Sequence, residues 1–426
     1  MILSFGIKIE KFKLFSQMTY YTTNNTVTCT IENVNLQCIT WDNQYCESNA
    51  LAINNYTTLT SNTRILKAVF PGKYIQGENL IASLPKLIND YGKKALIISS
   101  RSVKNNILSG ITEISNAENI IVETFGGECC EKEISRLSAI VNRDNTNVIV
   151  GIGGGKAIDT AKIVADRASL PVIIVPTIAS TDAPCSGVAV IYTEHGVYES
   201  TYYQKSNPQI VLVDMNIMAN APTRFLVSGM GDGLSTWFEA RSCERTNSMN
   251  ECGGYSTMAG LNLAKLCYDT LLTYGAAAKI SSEKNIITPA LNHIVEANTL
   301  LSGIGFESSG LASAHAVHNG LSALEETHAY YHGEKVAFGV LTGLHLTDAL
   351  PSEMETVYSF CEKIGLPTTL ADIGLKNVER RRLMEVAVNA CVPGGFMHHE
   401  AGEITAEKVL NAMIAADAMG EIRKGK

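Results

Sequence analysis

The sequence predicts an α/β domain with a parallel sheet, followed by a domain made only of helices. Between Ile65 and about residue 221, short apolar runs of strand length alternate with stretches of helical spacing, which is the pattern of βαβ units. After about residue 222 the strand signals stop and only helical stretches remain. We therefore predict an α/β domain over residues 63–221 and an all-α domain over residues 222–426.

Apolar runs and amphipathic stretches in the first half support this prediction. The buried strands are predicted at residues 94–100, 147–155, 170–177 and 209–214, and two of the helices at residues 131–141 and 156–168. In the first of these helices, Ile134, Leu137 and Val141 share one face. Open parallel sheets bind ligands beyond the carboxyl ends of their strands, so we expect a site there, in a cleft toward the helical domain.

Residues 1–62 differ in composition and hydrophobic pattern from the rest of the chain. They are rich in Asn and Thr and have little helical or alternating pattern, so we predict an appended, partly disordered N-terminal extension. An alternative is an upstream extension of the ordinary start, with Met18 as a second initiator. The first residues are mildly apolar and contain lysine but no arginine, which is a poor match to a transit peptide or a secretory signal.

The composition excludes several classes of protein. Hydrophobic residues make up 46% of the 426 residues, and the formal net charge of −8 argues against a nucleic-acid-binding protein. No apolar run reaches the roughly 18 residues that a membrane span needs. The eleven cysteines include no Cys-x-x-Cys, which indicates free thiols in a reducing compartment. We therefore expect a cytoplasmic protein that handles a small molecule.

A glycine-rich turn, G-I-G-G-G-K at residues 151–156, joins a predicted strand to a predicted helix. Glycines let the backbone approach a phosphate, and the helix N-terminus offers N–H groups and a positive dipole. The segment is not G-x-G-x-x-G, and Ala157 stands where a P-loop has Ser or Thr after its lysine. We predict phosphate binding here. A tight strand-to-helix turn without a ligand is the alternative.

Histidines cluster in the helical half of the chain. Five of the nine lie between positions 315 and 345: His315, His318, His328, His332 and His345. His315 and His318 are neighbours on one helix face, and His332 opens the next predicted helix. Imidazole is a frequent ligand of zinc-like metals, and a catalytic site takes three protein ligands. Asp232, on a glycine-flanked helix start, is the candidate acidic ligand.

Each of these histidines also has a simpler interpretation as a helix cap, a surface group or a hydrogen-bonded core residue. We favour that interpretation for His345, which lies in an apolar helix, and we expect His328 to be exposed. From spacing alone, a metal at His315 and His332 stays one of two alternatives.

Longer segments resemble the glycerol dehydrogenases, in the broader superfamily of iron- and zinc-dependent polyol dehydrogenases. The resemblance covers about residues 64–426. The matching segments are FPGKYIQG (70–77), FGGEC (125–129), GIGGGKAIDTAK (151–162), PTIASTDAPCS (176–186), GMGDGLSTWFEAR (229–241), GFESSGLASAHAVHNG (305–320) and YYHGEKVAFG (330–339). The fold that this implies, known from dehydroquinate synthase and the iron-type alcohol dehydrogenases, has an N-terminal α/β nucleotide-binding domain and a helical metal-binding domain.

The resemblance implies a metal and substrate site. By it, Asp232, His315 and His332 bind one divalent metal, Asp182 contacts the polyol hydroxyls, and His318 lies near the substrate without binding the metal. Asp182, His315 and His318 are then the implied catalytic residues. The metal would act as a Lewis acid on the alcohol while hydride passes to the nicotinamide. The proton would leave through a water or through His318.

Thr236 separates two branches of the superfamily. The iron-type alcohol dehydrogenases have a further metal-binding His four residues after the metal Asp, and this chain has Thr236 there. We therefore expect the three-ligand site of the zinc-using glycerol branch. Dehydroquinate synthase, a more distant relative, is disfavoured because its metal carboxylate is a glutamate.

The resemblance also implies which residues line an NAD or NADP cofactor. They are Ser100, Gly153, Gly154, Gly155, Lys156, Asp159, Thr177, Ser180, Ser186, Val188 and Tyr192. Members that prefer NAD have an acidic residue at a strand end where this chain has Ser100, followed by Arg101. An arginine can pair with a 2′-phosphate, so we hypothesise relaxed cofactor use or a preference for NADP. The alternative is that Arg101 points to solvent and NAD is used.

The activity implied by the resemblance is the reversible oxidation of glycerol, or of another vicinal diol, with glycerol giving dihydroxyacetone. The nearest alternatives are another polyol, an aldehyde, or glycerol 1-phosphate, although no extra cations are apparent near Asp182. A non-catalytic, metal-holding homologue with a structural role is the alternative of another class, which the intact motifs disfavour. The resemblance also implies a homo-oligomer, often an octamer.

Overall fold

The computed structural model describes residues 19–23, 26–31, 34–39, 64–111, 114 and 117–425. The chain splits into two compact units, Met1–Thr63 and Arg64–Lys426. In the first, β1 (Thr19–Thr23), β2 (Thr26–Ile31) and β3 (Val34–Ile39) pair in that order as an antiparallel sheet. No strand is predicted there from the sequence, although Thr, Val and Ile, which favour strands, recur in it. The remainder of residues 1–62 lies outside the described residues, so the partial disorder stays a prediction.

The second unit begins with the expected parallel sheet. Its strands are β4 (Tyr74–Gly77), β5 (Ala95–Ser99), β6 (Ile120–Thr124), β7 (Val148–Gly153), β8 (Val172–Pro176) and β11 (Ile210–Asp214). They lie in the order β4-β11-β8-β7-β5-β6, and every pairing is parallel. A separate antiparallel ribbon pairs β9 (Val188–Tyr192) with β10 (Tyr198–Tyr203).

The four predicted strands coincide with β5, β7, β8 and β11, whose residues are buried throughout. Strands β4 and β6 are the two sheet edges and are only half-buried, so they lack the continuous apolar run that marks a strand covered on both faces. The helices of this part are α1 (Leu84–Tyr91), α2 (Arg101–Asn106), α3 (Glu131–Asp144), α4 (Gly155–Ala168) and α5 (Met215–Ala219).

Helices alone make up the rest of the unit, which confirms the predicted fold class. They are α6 (Thr223–Thr246), α7 (Met258–Glu283), α8 (Pro289–Glu296), α9 (Ser302–Ser309), α10 (Ser313–Leu321), α11 (His332–Leu346), α12 (Pro351–Ile364), α13 (Arg380–Ala390) and α14 (Ala406–Lys424). A π-helical turn, Ala297–Leu301, links α8 to α9. Within the described part of the chain, no helix combines the length and the apolarity of a membrane span.

The loop between β8 and β9 is where the sheet meets the helical part. It leaves the carboxyl end of β8 and passes against α6, where a Cβ added to Gly229 would lie 2.0 Å from the Ala179 carbonyl oxygen. Asn298, in the π-helical turn, donates from Nδ2 to the carbonyl oxygens of Ala179 and Leu226 at 2.9 and 3.1 Å. These contacts fix the loop against α6, the helix that carries Asp232, and against the π-helical turn.

Candidate active site

Two glycine-containing motifs meet where α6 crosses α11. A Cβ on Gly333 would lie 1.8 Å from the carbonyl oxygen of Ser228, and one on Gly231 would lie 2.3 Å from the carbonyl oxygen of Gly333. The two helices approach this closely because neither glycine has a side chain. The crossing brings Asp232 of α6 beside His332, the first residue of α11.

Asp232 lies inside α6 and not at a helix start, so that part of the prediction is wrong. The flanking glycines, which suggested a helix terminus, serve the close packing of α6 instead. A Cβ on Gly233 would lie 3.3 Å from the sulfur of Cys267 on α7, and Gly231 faces α11. Asp232 itself is fully buried.

The side chains of Asp232, His315 and His332 converge, with one ligand atom from each lying within 4.8 Å of the others. Asp232 Oδ1 lies 3.1 Å from His332 Nε2 and 3.6 Å from His315 Nε2. That oxygen is buried and accepts no hydrogen bond from the part of the chain that the structure describes. Ligand atoms around a tetrahedral ion with bonds of about 2.1 Å lie about 3.4 Å apart. The three residues therefore fit one divalent metal ion, and their role as its ligands stays a prediction.

The charges of this group also suit a cation. Burial would raise the pKa of Asp232, but His332 and His315 hold it well below its usual value. Burial would likewise lower the pKa of His315, but the carboxylates of Glu239 and Asp232 raise it well above its usual value. The buried carboxylates thus require nearby positive charge, which a divalent ion supplies while the imidazoles bind it as neutral ligands.

Glu239 is a functional residue that the sequence patterns did not reveal. It is almost fully buried on α6, and its Oε2 lies 2.6 Å from His315 Nδ1. Its Oε1 accepts from the backbone N–H groups of Ala312 and His315 at 2.8 and 2.9 Å, at the start of α10. The carboxylate keeps the proton on His315 Nδ1 and leaves Nε2 for the metal. A position seven residues after Asp232, on the same helix face, is the signal that could have shown it.

His318 lies against a metal ligand. Its Nε2 is 3.0 Å from His332 Nδ1, and its Nδ1 is 3.1 Å from Asn319 Oδ1. Burial, and then the charges of His332 and Lys335, lower the pKa of His318 well below its usual value, so the ring is neutral. When His332 Nε2 faces a metal, His332 Nδ1 donates to His318 Nε2, and His318 Nδ1 donates to Asn319. His318 thus orients His332, and its role toward the substrate stays a prediction.

The other two histidines of the cluster lie outside the metal group. His328 is exposed, as predicted, and its Nε2 lies 3.0 Å from the Ser322 carbonyl oxygen. His345 is half-buried with its Nε2 3.1 Å from the Tyr358 hydroxyl, in accord with a hydrogen-bonded core residue.

Asp182, on the loop after β8, reaches the metal group. Its backbone N–H donates to Asp232 Oδ2 over 3.2 Å, and its Oδ2 accepts from the Ser302 hydroxyl over 3.0 Å. Burial and the charge of Asp232 raise the pKa of Asp182 well above its usual value. The structure therefore brings Asp182 together with the three metal-ligand candidates.

The glycine turn lies between β7 and α4, as predicted. Gly153 ends the strand, Gly154 precedes the helix and Gly155 begins it. A Cβ on Gly154 would lie 3.0 Å from Ile178 Cδ1, which explains the missing side chain. Because Gly154 has no side chain with which to cap α4, the first N–H groups of the helix stay open to a phosphate.

Lys156 and Asp159, two residues of the predicted cofactor set, are engaged with the protein itself. Lys156 Nζ lies 2.6 Å from Glu128 Oε2 and 4.8 Å from the centre of the Tyr192 ring. Asp159 is buried, and its Oδ1 lies 3.2 Å from Lys162 Nζ. Both residues shape the surroundings of the glycine turn, and a direct contact with a cofactor stays a prediction for each.

Lys162 is a second residue that the sequence patterns did not single out. Its side chain is fully buried, and Nζ donates to the carbonyl oxygens of Ala183, Ser186 and Val188 at 2.9, 3.1 and 2.5 Å. The ammonium group therefore anchors Ser186, in the loop after β8, and Val188, the first residue of β9, to helix α4. Both residues are predicted to line the cofactor. The spacing of Lys162 three residues from Asp159, which puts both side chains on one helix face, is the signal that could have shown it.

The remaining cofactor candidates lie after strand ends. The Thr177 N–H donates to the Gly153 carbonyl oxygen over 3.0 Å, which joins the loop after β8 to the glycine turn. The Ser180 carbonyl accepts from Ser228 over 3.3 Å. Ser100 comes directly after β5, where its Oγ accepts from the Val103 N–H over 3.3 Å and caps α2.

Comparison with known proteins agrees with this site. A family profile described as iron-containing alcohol dehydrogenase matches residues 71–215. A glycerol dehydrogenase of Thermotoga maritima is 52% identical over 362 residues, which are 84% of this chain and 99% of that protein. One of Escherichia coli is 46% identical over 353 residues, 82% and 96% of the two chains. A glycolaldehyde reductase of Halobacterium salinarum is 42% identical over 352 residues, with the same coverage.

Solved structures agree as well. A probable glycerol dehydrogenase of Sinorhizobium meliloti superposes with a TM-score of 0.80 at 44% identity, covering 84% of this chain and 99% of its own. The glycerol dehydrogenase of Schizosaccharomyces pombe gives 0.79 at 34% identity, covering 85% and 93%. With these likenesses, the fold and the site define an oxidoreductase of the alcohol dehydrogenase type. The chain belongs to the iron-containing alcohol dehydrogenase family, in its glycerol dehydrogenase group, and the resemblance found in the motifs is confirmed.

Proposed function

We propose that this protein catalyses the reversible oxidation of glycerol to dihydroxyacetone, with a nicotinamide cofactor and one zinc ion. The observation that carries the proposal is the position of Asp182 beside the group of Asp232, His315 and His332. A carboxylate next to a three-ligand metal site suits a substrate with several hydroxyls. The names of the relatives at 46–52% identity support the same activity.

The residues of the chain have distinct tasks in this reaction. A zinc ion held by Asp232, His315 and His332 supplies Lewis acidity, which lowers the pKa of an alcohol. Asp182 has its Oδ2 engaged with Ser302, and Oδ1 is the oxygen that we assign to a substrate hydroxyl.

The glycine turn and the loop after β8 form the other half of the site. A bound nicotinamide cofactor supplies the hydride acceptor, and the open N–H groups at the start of α4 suit its pyrophosphate. Lys162 keeps Ser186 and the start of β9 at Val188 in place. The neutral His318 can hold the proton of the reacting hydroxyl if its bond to His332 opens, and water is the other route.

A second candidate reaction uses the same site in the reverse direction. The relative named glycolaldehyde reductase favours the reduction of a short hydroxyaldehyde, whose product is again a vicinal diol. A phosphorylated substrate such as glycerol 1-phosphate is disfavoured, because Asp182 is bonded to Asp232 and Ser302 and no lysine or arginine joins these contacts among the described residues.

Removing the metal should abolish the activity, and zinc should restore it. We expect the purified protein to oxidise glycerol and to lose at least about 95% of that rate after dialysis against a chelator. Stoichiometric zinc should restore the rate, because the protein alone supplies all three metal ligands. Glycolaldehyde and glycerol 1-phosphate are assayed in parallel. A metal-loaded protein without turnover on any polyol or hydroxyaldehyde would instead support a structural, non-catalytic homologue.

We also infer that NADP is accepted alongside NAD. Ser100 and Arg101 come directly after β5, at the carboxyl end of the strand, where dinucleotide-binding folds recognise the ribose 2′ position. Ser100 carries no charge that would repel a 2′-phosphate, and the exposed Arg101 is available to pair with one.

Substituting Ser100 by Asp tests this inference. Asp caps a helix as well as Ser does, so α2 should persist while the new carboxylate repels a 2′-phosphate. We expect the ratio of kcat/KM for NADP⁺ to that for NAD⁺ to fall by about tenfold or more, which corresponds to about 1.4 kcal/mol. The control is Arg143→Ala at the exposed end of α3, which should leave the ratio unchanged. A hundredfold preference of the wild type for NAD⁺ would refute the inference.

We further infer a cytoplasmic homo-oligomer, often an octamer in this family. Several large apolar side chains on α7 support the oligomer, because they are exposed in the single chain: Met258, Leu266, Tyr274 and Ile280. The mass in solution, measured by light scattering, tests the oligomeric state.

A further inference from the structure

Thr236 and Ser302 are fully buried hydroxyl residues to which the proposed reaction assigns no task of their own. Thr236 Oγ1 lies 2.8 Å from Ser302 Oγ, and Ser302 donates to Asp182 Oδ2 over 3.0 Å. A serine hydroxyl has one proton, and that of Ser302 is directed at Asp182. The bond between the two hydroxyls therefore runs from Thr236 to Ser302. A chain of two hydroxyls, from α6 through α9, ends on the carboxylate of Asp182.

Hydrogen bonds hold the backbone around these two hydroxyl residues in place. Helix α9 begins directly after the π-helical turn Ala297–Leu301, a type of turn that is frequent at functional sites. Within the turn, Asn298 donates to the carbonyl oxygens of Ala179 and Leu226, so the loop with Asp182, the helix α6 and the turn form one hydrogen-bonded body. The two hydroxyls consequently have little freedom to follow Asp182 if it moves.

Two contacts fix two different parts of Asp182. Its N–H donates to Asp232 Oδ2, which sets the main chain relative to the metal ligands. The bond from Ser302 to Oδ2 sets the rotation of the carboxylate and also compensates part of the cost of its burial beside Asp232. Because one oxygen is held in this way, the direction of the other, Oδ1, is determined as well.

We propose that Thr236 and Ser302 are positioning residues that determine specificity for a triol. By holding Asp182 Oδ2, they aim Oδ1 at the substrate hydroxyl that does not take part in the reaction, so that glycerol is preferred over a diol lacking that hydroxyl. The proposal rests on the proposed function, since it takes a polyol as the substrate. A site built to hydrogen-bond a substrate hydroxyl discriminates strongly against an analogue without it, because its own polar group is then left unpaired.

The variants Ser302→Ala and Thr236→Val test the proposal. In the zinc-loaded full chain, kcat/KM is measured for glycerol and for propane-1,2-diol, which lacks one terminal hydroxyl. We expect Ser302→Ala to reduce the preference for glycerol by about tenfold, mainly through a higher KM for glycerol. Thr236→Val should change the preference in the same direction but less, because Ser302 keeps its own proton. Zinc content should stay at the wild-type value in both variants, since neither hydroxyl contacts a metal-ligand candidate.

Thr342→Val is the matched control. Thr342 is also fully buried, but within the described part of the chain its hydroxyl bonds only the Phe338 carbonyl of its own helix α11, at 3.0 Å. A preference for glycerol that is unchanged in Ser302→Ala, or that falls equally in Thr342→Val, would overturn the proposal.

Failure of the proposed function appears differently, as a wild-type protein that turns over neither substrate. In that case the two alcohols are titrated against the zinc-loaded protein by ligand-observed NMR. Binding of glycerol that is tighter than that of propane-1,2-diol, and that weakens in Ser302→Ala, supports the proposal. Equal binding of the two alcohols overturns it.

Discussion

Replacing Asp232 by Asn should remove both the metal and the activity, with a loss of at least about a thousandfold in kcat/KM. Asp232 is fully buried and is the only acid of the three-ligand group that the structure identifies in the described chain. Asn keeps the shape but is neutral, so the negative charge that attracts a cation between His315 and His332 is lost. Metal content by elemental analysis and steady-state rates on glycerol measure the two effects.

Asp214→Asn is the matched control for this substitution. Asp214 is also buried, but its carboxylate accepts from the backbone N–H groups of Asn216 and Ile81 at 2.9 and 2.8 Å, away from the histidines. We expect this variant to lose stability but to keep its metal. An Asp232→Asn protein that retained one metal per chain together with its activity would disprove the ligand assignment.

The substitution Gly333→Ala should be equally damaging without touching a ligand. The added Cβ would lie 1.8 Å from the oxygen and 2.7 Å from the carbon of the Ser228 carbonyl, and 2.9 Å from the Asp232 nitrogen. All of these are backbone atoms, so no side chain can turn aside and the helices α6 and α11 must separate. We expect a loss of about 4 kcal/mol or more in the free energy of unfolding, at the upper end for single substitutions, and loss of the metal.

Denaturant unfolding and metal analysis measure this effect. Gly343→Ala, on the same helix, is the control, because among the described residues its Cβ would meet the side chain of Ser313 and no backbone atom, with Oγ at 2.7 Å and Cβ at 3.8 Å. In the interior of an exposed helix, alanine is more stabilising than glycine by about 1 kcal/mol. Helix propensity alone would therefore predict a gain in the free energy of unfolding for both variants. A Gly333→Ala protein as stable as the wild type, with its metal bound, would contradict the close crossing.

The parts of the fold that the sequence predicts are those whose burial is uniform. Strands β5, β7, β8 and β11 are covered on both faces and therefore appear as apolar runs. The edge strands β4 and β6 are half-buried, and their mixed composition hides them. The interior position of Asp232 in α6 was missed because glycine usually marks a helix end, whereas here it allows a helix crossing.

The site was predictable only for those residues that belong to motifs shared with a known family. Asp232, His315 and His332 come from a resemblance, and spacing alone left a metal as one of two alternatives. Glu239, Lys162 and Ser302 were not predicted, since their roles depend on contacts with distant parts of the chain. Ser302, for example, is 120 positions from the carboxylate that it bonds. No local pattern of residues encodes such a contact.

The buried pair of Lys162 and Asp159 constrains how this protein can change during evolution. Losing the lysine alone would leave a buried carboxylate without its cation, at a cost of about 3 kcal/mol or more. Replacing both residues together by apolar ones is often nearly neutral for an isolated pair. Here it would also remove the donor to the carbonyl oxygens of Ala183, Ser186 and Val188. Lineages should therefore retain both residues, and random mutagenesis under selection for stability should reject the double exchange as well as each single one.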